Sequence, residues 1–432
     1  MWIIICFAHH HGKFAPHPTT RPPRMPTRDT EQHDPRTRAD HVLPAAADGA
    51  VLVGRLWEPG RGPRLVAVVG ERLADVTALG PTMADLAERP DPAAAVRAQL
   101  DRTPDAPYDL GDVLTATAAE ADRRRGAAGP VEREQPALLS PVDLQVLKAA
   151  GVTFVRSMVE RVIEERVGGD MTRAAEIREQ LNESIGSSIQ DVRPGSDQAL
   201  AVLELLRENG LWSQYLQVGL GIHPEVFTKG PLLSSVGHGS DVGIAGISTW
   251  NNPEPELAVV IDRDGTPKGA TLGNDANLRD IEGSSALLLP LAKDNNAAAA
   301  LGPFIRLFDD GFTLADAAAT TITMRIAGTD GFVLEATAPQ SEISRPVSEL
   351  VEHTVSRRHQ YPDGLVLLCG TPFAPIEDRD APGMGFTHHD GDLVSIGAPE
   401  LGTLVNRVTP SEQAPVWDYG LRELFRDLRG AA

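Results

Sequence analysis

The stretch WNNPEPELAVVID, residues 250–262, sets the reading of the chain. Its run 257–261 is short, apolar and partly β-branched, which predicts a buried strand. Glu254 and Glu256 stand two apart just before it, flanked by Pro253 and Pro255. In extended backbone, residues i and i+2 project from the same face, about 7 Å apart. Two like charges at that spacing repel unless something positive lies between them. Prolines lack an N–H donor, so this entrance is expected at a sheet edge or bulge rather than in mid-ladder. Taken alone, Glu-Pro-Glu also fits a solvated, acidic strand entrance.

A chain of 432 residues is long enough for two domains with a large core. Asp and Glu number 60 against 40 Lys and Arg, a net charge of −20, which argues against a nucleic-acid partner. An anionic small substrate stays open, because a metal or local cations can set the sign inside a pocket. Two cysteines, Cys6 and Cys369, exclude a disulfide framework and a cysteine-based zinc site. A reducing, cytoplasmic setting fits that usage. No apolar run reaches transmembrane length, so no membrane partner is expected.

Residues 1–40 are rich in Pro, Arg, Thr and His and read as a disordered extension. Met25 offers an alternative start, which would make residues 1–24 an upstream translation of little functional meaning. His9, His10 and His11 read as incidental there, because a specific metal site needs rigid support. Residues 41–135 alternate short apolar runs with Gly and Pro turns around a helical piece near 82–100, a small N-terminal domain. It is expected to pack on the larger C-terminal domain and to shape its assembly. Residues 123–130 read as a linker.

That larger domain, 140–432, begins with two expected helices. One is capped by Ser140 with Pro141 at its first position and ends at Gly151. The other carries Phe154, Met158, Val162 and Ile163 at helical spacing. After Gly210, short β runs at 216–220, 256–261, 268–272, 303–307, 320–327, 331–336, 364–368 and 392–396 suggest a rolled sheet or distorted barrel. P-loop, dinucleotide-binding, Gly-x-Ser-x-Gly and His-Glu-x-x-His spacings are absent.

Further along, GNDANLRDIEG (273–283) places Asp275 directly after a Gly-Asn turn. It is a turn residue or a third carboxylate for the glutamate pair. Three carboxylates plus exchangeable waters suit Mg²⁺ or Mn²⁺. Lys293, between apolar Leu291 and a run of small residues, is a snorkelling surface lysine or a pocket cation, and Lys229 has a similar setting. VLLCGTPFAP (366–375) is a buried strand stopping at a Gly-Thr-Pro turn that carries Thr371.

In this order, NNPEPELAVVI, GATLGNDANLRDIEG, AKDNN and VLLCGTPF resemble the fumarylacetoacetate hydrolase superfamily, over roughly residues 150–410. The resemblance implies an α+β fold, a mixed β-roll catalytic domain with a smaller N-terminal domain, and a homodimer or higher homo-oligomer. It implies Glu254, Glu256 and Asp275 as ligands of Mg²⁺ or Mn²⁺, Lys293 as the group that binds or polarises substrate, and Thr371 at the substrate carboxylate. Hydrolases of the superfamily carry a His and a Glu three apart on a helix over the site. Here Ser157 stands at the His position and Glu160 is retained. That departure, with TWNNPEPE, FAPIEDR and the extra N-terminal domain, looks like the sugar-acid dehydratase branch. The branch converts 2-keto-3-deoxy-pentonates such as 2-dehydro-3-deoxy-D-arabinonate to 2,5-dioxopentanoate in oxidative pentose degradation.

In that chemistry the metal acidifies the C3 protons of a chelated 2-oxo acid. Glu160 is the candidate acid/base, Lys293 the alternative base, and Ser157 a partner for a substrate hydroxyl. Lys229, Ser344, Arg345 and Arg379 are candidate substrate contacts, with structural ion pairing open for both arginines. Arg279 is expected to clamp the acidic cluster or pair with Asp280. His388 and His389 read as loop residues. The competing readings are an acylpyruvate- or fumarylacetoacetate-type C–C hydrolase, and a metal- or ligand-binding protein without turnover.

Overall fold

The apolar run is a strand, Pro255–Ile261, and it lies in the middle of a sheet rather than at its edge. The computed structural model describes residues 34–45, 49–174, 176–177 and 192–430. Cys6, His9, His10, His11 and Met25 lie outside them. In chain order the longer strands are β1 (Leu52–Glu58), β2 (Gly62–Val69), β3 (Arg72–Asp75), β4 (Val146–Gly151) and β5 (Glu225–Gly230). They continue as β6 (Asp241–Ile244), β7 (Pro255–Ile261), β8 (Pro267–Asp275), β9 (Ala299–Leu307) and β10 (Thr321–Ala327). The last are β11 (Val333–Pro339), β12 (Leu365–Leu368), β13 (Leu393–Ala398) and β14 (Gly402–Pro410).

The large sheet runs β3-β2-β1-β9-β8-β7-β12-β4-β5, antiparallel except for the β12–β4 pair. A second sheet runs β11-β10-β13-β14-β6. This is the mixed, α+β architecture expected. Strand β7 explains why its sequence is apolar throughout. Leu257, Val259 and Ile261 enter a core shared with Ile322, Met324, Ile396 and Leu404 of the second sheet. Ala258 and Val260 enter another, against Val53, Leu65, Met83 and Leu86. A strand buried on both faces has no polar alternation. The prolines are tolerated because Pro255 begins the strand: β8 pairs with it there, while β12 pairing starts only at Ala258.

Helix α1 (Leu110–Arg124) runs into the expected linker. Helix α2 (Val155–Val167) matches the helical spacing and stops at Gly168, whose φ of 62° suits a left-handed cap. Two further expectations fail. Residues 146–151 form β4 rather than a helix, because they pair on both sides, with β12 and β5. Tertiary pairing overrides the helical preference of Ala149 and Ala150. Asp143, in the supposed first turn, instead accepts from the backbone of Met83 and Ala84 and pairs with Arg55 at 3.1 Å. Residues 216–220 are helical, within α4 (Gln214–Leu220), after α3 (Asp197–Glu208). Ser213 caps that turn by accepting from the Tyr215 N–H.

Within the stretch expected to be disordered, Pro35–Thr37 is a helical turn with Arg36 buried, and the Arg36 carbonyl is 2.9 Å from His238 Nε2. No helix among the described residues is long and apolar enough to cross a membrane.

Strand β1 pairs directly with β9 through Leu52 and Val53. A chain starting near residue 140 would leave β9 as a long, apolar, unpaired edge. Such a chain is expected to aggregate, measured by soluble yield and size-exclusion chromatography. A soluble fragment with the oligomeric mass and activity of the full chain would contradict this.

Candidate active site

Register builds the site. Along β7 and β8, Pro255 faces Asn274 and Glu256 faces Gly273. The Asp275 N–H donates to the Glu254 carbonyl at 3.0 Å, so Asp275 stands opposite Glu254. Glu254 and Glu256 share one face, and Asp275 joins them from the neighbouring strand. Gly273 leaves the room that a third side chain would fill, since a Cβ there would collide with Leu368. All three carboxylates are buried, and each offers an oxygen within 4.8 Å of the others. The Gly370 N–H donates to Glu256 Oε2 at 2.7 Å, and Asn274 Oδ1 accepts from the Glu254 N–H.

Two lysines face the triad. Lys293, at the end of α6 (Leu289–Lys293), which follows α5 (Arg279–Ser284), places Nζ 2.5 Å from Glu254 Oε2 and 3.2 Å from Asp275 Oδ2. Asp275 and Glu254 outweigh the effect of burial and hold the Lys293 ammonium well above its ordinary value. It is therefore a fixed cation. Lys229 Nζ lies 2.9 Å from Asp275 Oδ1 and donates to the carbonyls of Ala276 and Lys293. Burial lowers Lys229 despite Asp275, while both lysines hold Asp275 below the usual carboxylate range against its own burial.

Helix α2 covers this face with Ser157, Glu160, Arg161 and Glu164, all buried. Arg161 pairs with Glu254, with Glu164 at 2.6 Å and with Glu282 at 2.8 Å. Arg279 reaches Glu164 at 2.6 Å, Glu160 at 3.2 Å and the Pro375 carbonyl, and its guanidinium lies 4.5 Å over the Trp250 ring. Arg279 thus clamps the cluster, while Asp280 accepts from the Ser248 hydroxyl and the Thr249 N–H.

Six buried carboxylates (Glu160, Glu164, Glu254, Glu256, Asp275, Glu282) meet four buried cations (Arg161, Arg279, Lys229, Lys293), which leaves two negative charges in excess. The site favours the protonated form of two of these carboxylates. Burial, then Asp275 and Glu254, push Glu256 well above the carboxylate range. Burial likewise raises Glu282. Glu225 nearby is pushed up to about 7 by burial and by Glu282. A divalent cation would balance the same two charges. Asp275 Oδ1 is held at 2.9 Å by Lys229 Nζ, and the triad as a whole lies within ligand-forming reach. The residues fit an ion of the hard, oxygen-ligated kind.

Ser157 donates to the Phe154 carbonyl at 3.0 Å and lines a cavity of about 10 Å³ with Glu160, Asn252, Glu254 and Arg279. A second cavity, about 190 Å³, opens over Trp250, Arg279, Pro375 and Phe386. Arg279 is a wall of both. Thr371 follows Gly370 and accepts from the Phe373 N–H. Ser344 donates to the Thr153 carbonyl, and Arg345 is held by Glu349 and the Gly221 carbonyl. None of those partners belongs to the carboxylate cluster. Arg379 pairs with Asp330 and Asp392, and His388 lies in a loop, as expected, with its side chain buried beside Asp392. Arg161, Glu164, Glu282, Asn252 and Asn277 escaped the sequence reading. Ser157, Glu160, Arg161 and Glu164 at spacings of three and four were the legible signal for the helix face.

A mixed β fold presenting three buried carboxylates on one sheet face, with a fixed lysine from a helix set against them, defines a candidate carboxylate-type metal centre. Residues 201–409 match the model of the fumarylacetoacetate (FAA) hydrolase C-terminal family. The chain is 31% identical over 194 residues to 2-dehydro-3-deoxy-D-arabinonate dehydratase of Saccharolobus solfataricus, covering 45% of this chain and 61% of that protein. It is 33% identical over 202 residues to a Haloferax volcanii protein named "Probable 2-keto-3-deoxyxylonate dehydratase", covering 47% and 66%. The match thus spans less than two thirds of either relative. In fold it is similar to a solved 2-keto-3-deoxy-D-arabinonate dehydratase complexed with magnesium and 2,5-dioxopentanoate, at a TM-score of 0.54 and 20% identity, covering 84% of this chain and 99% of that one.

Arg161 joins three buried carboxylates. Arg161→Leu is expected to destabilise the protein by about 3–5 kcal/mol, because it strands buried charges. Urea denaturation at neutral pH measures this, and a loss below about 1 kcal/mol would match a solvent-screened pair instead.

Proposed function

We propose that the chain is a divalent-metal-dependent hydro-lyase that converts 2-dehydro-3-deoxy-D-arabinonate, a 2-keto-3-deoxy-pentonate, to 2,5-dioxopentanoate. The observation that carries this reading is the buried triad Glu254, Glu256 and Asp275 with Lys293 set against two of its members. The dehydratase names of the two relatives support it. The triad would hold Mg²⁺ or Mn²⁺, which, when bound, withdraws charge from the C2 carbonyl of a 2-oxo acid and acidifies its C3 protons.

The protein's own groups do the rest. Lys293 offers a fixed positive charge to the oxygen on C2 as it gains negative charge. Glu160 takes a proton from C3, its carboxylate steadied by Arg279. The same proton leaves with the C4 hydroxyl as water. A proton then shifts from C5 to C3, and the enol formed at C4–C5 tautomerises to the aldehyde. Ser157, on the same cavity wall, meets a substrate hydroxyl. Lys229 positions Lys293 through its carbonyl. The outer cavity, walled in part by Arg279, would be the entrance for substrate.

Glu256 gives this reading a pH signature. Its folded value is raised, so its proton stabilises the metal-free fold fully below the ordinary carboxylate range, and that contribution is lost as pH rises through the raised value. A cation must displace that proton, so Mg²⁺ affinity is expected to rise with pH over the same window. Calorimetry in two buffers of different ionisation heat measures the release; binding without proton release would remove Glu256 from the ligand set.

Turnover tests the function. Metal-stripped protein is given 2-dehydro-3-deoxy-D-arabinonate with and without Mg²⁺, and the aldehyde is followed, with acetylpyruvate run alongside. Metal-dependent aldehyde formation, abolished in Glu256→Gln and lowered about 10²–10⁴-fold in Glu160→Gln, is expected. Acetylpyruvate cleavage without aldehyde formation would instead make the chain a C–C hydrolase.

A further inference from the structure

The register that aligns the triad continues past it. Asn252 pairs with Asn277 in a short antiparallel ladder, one step beyond the Glu254–Asp275 pair. Residues 252, 254 and 256 alternate onto one face, and residues 277 and 275 onto the same face of the neighbouring strand. The two asparagines therefore sit about 7 Å along that face from Glu254 and Asp275.

Both are almost wholly buried, Asn277 at 0% and Asn252 at 2% exposure, and both keep unused hydrogen-bonding groups. Neither Oδ1 nor Nδ2 of Asn277 has a hydrogen-bond partner, nor does Oδ1 of Asn252. Asn252 Nδ2 donates to the Pro253 carbonyl at 2.8 Å, which fixes the side chain. Asn252 also lines the small cavity with Glu254 and Glu160, which places the residue on the reaction face. Leaving a buried amide unpaired is costly, and a fold retains such groups where a ligand completes them.

We propose that Asn252 and Asn277 are the specificity-determining pair that reads a hydroxyl of the substrate. This rests on the reading of the triad as the seat of a 2-oxo acid. With the carboxylate and keto group at the triad, the far hydroxyls of a five-carbon acid reach the amides. Asn277 can donate to and accept from one hydroxyl at once. A deoxy acid leaves the amides unpaired, and sites of this type reject such analogues strongly.

The test is calorimetric binding, with Mg²⁺ present, of 2-dehydro-3-deoxy-D-arabinonate and of 2-oxopentanoate, which lacks both hydroxyls. The native protein is expected to prefer the hydroxylated acid. Asn277→Ala is expected to weaken that acid about tenfold or more, to leave 2-oxopentanoate unchanged and not to lower the melting temperature of the metal-free protein. Asn252→Ser provides a second variant, with a smaller loss of discrimination. A lower melting temperature with discrimination intact would make the amides structural and overturn the proposal. Equal binding of both acids by the native protein would overturn it while leaving the triad reading in place. Binding of neither would instead reject the 2-oxo acid reading on which it rests.

Discussion

Two uncompensated negative charges, buried at one end of the central strand pair, are the constraint around which the site is built. Ionised groups out of water cost several kcal/mol each unless paired. Arg161, Arg279, Lys229 and Lys293 pair most of the cluster but not all of it. Burial raises the proton affinity of Glu256 and Glu282 against that remainder, and a divalent cation would balance it while leaving Glu256 free to coordinate. The surrounding fold keeps that choice available. The β7–β8 register fixes the three oxygens, Gly273 lets Leu368 pack against the strand pair, and the Gly370 N–H orients Glu256.

Rigidity is divided accordingly. The triad stands where β7 and β8 are buried on both faces between two cores. The groups that would meet the substrate come from elsewhere: Glu160 and Ser157 from α2, Lys293 from α6, and Arg279 from the start of α5, after the asparagine ladder. A fixed cation beside the triad suits Lys293 to stabilising charge rather than accepting a proton. That leaves acid–base work to Glu160, whose carboxylate Arg279 holds at 3.2 Å.

Much of this was legible in the sequence because it follows from local spacing. Glu-x-Glu before an apolar run must share a strand face, and two short apolar runs announced β7 and β12. The strand at 146–151 was not legible, because Ala149 and Ala150 favour a helix and only the two neighbouring strands reverse that preference. The helix at 214–220 was hidden by a similar ambiguity of short apolar runs. Asp275 stood out by its turn, but its place opposite Glu254 depends on a register that no single stretch encodes. Arg161, Glu164 and Glu282 resemble ordinary surface charges in composition. Only long-range packing buries them, so their role required three dimensions.

The charge imbalance itself can be measured most directly by titrating metal-free protein with Mn²⁺ and following the loss of the free-ion paramagnetic resonance signal. One ion bound per chain, lost in Asp275→Asn while the variant keeps its fold by circular dichroism, is the expected result. An unchanged free-ion signal across the titration would show that protons alone balance the cluster and that the triad is not a metal centre.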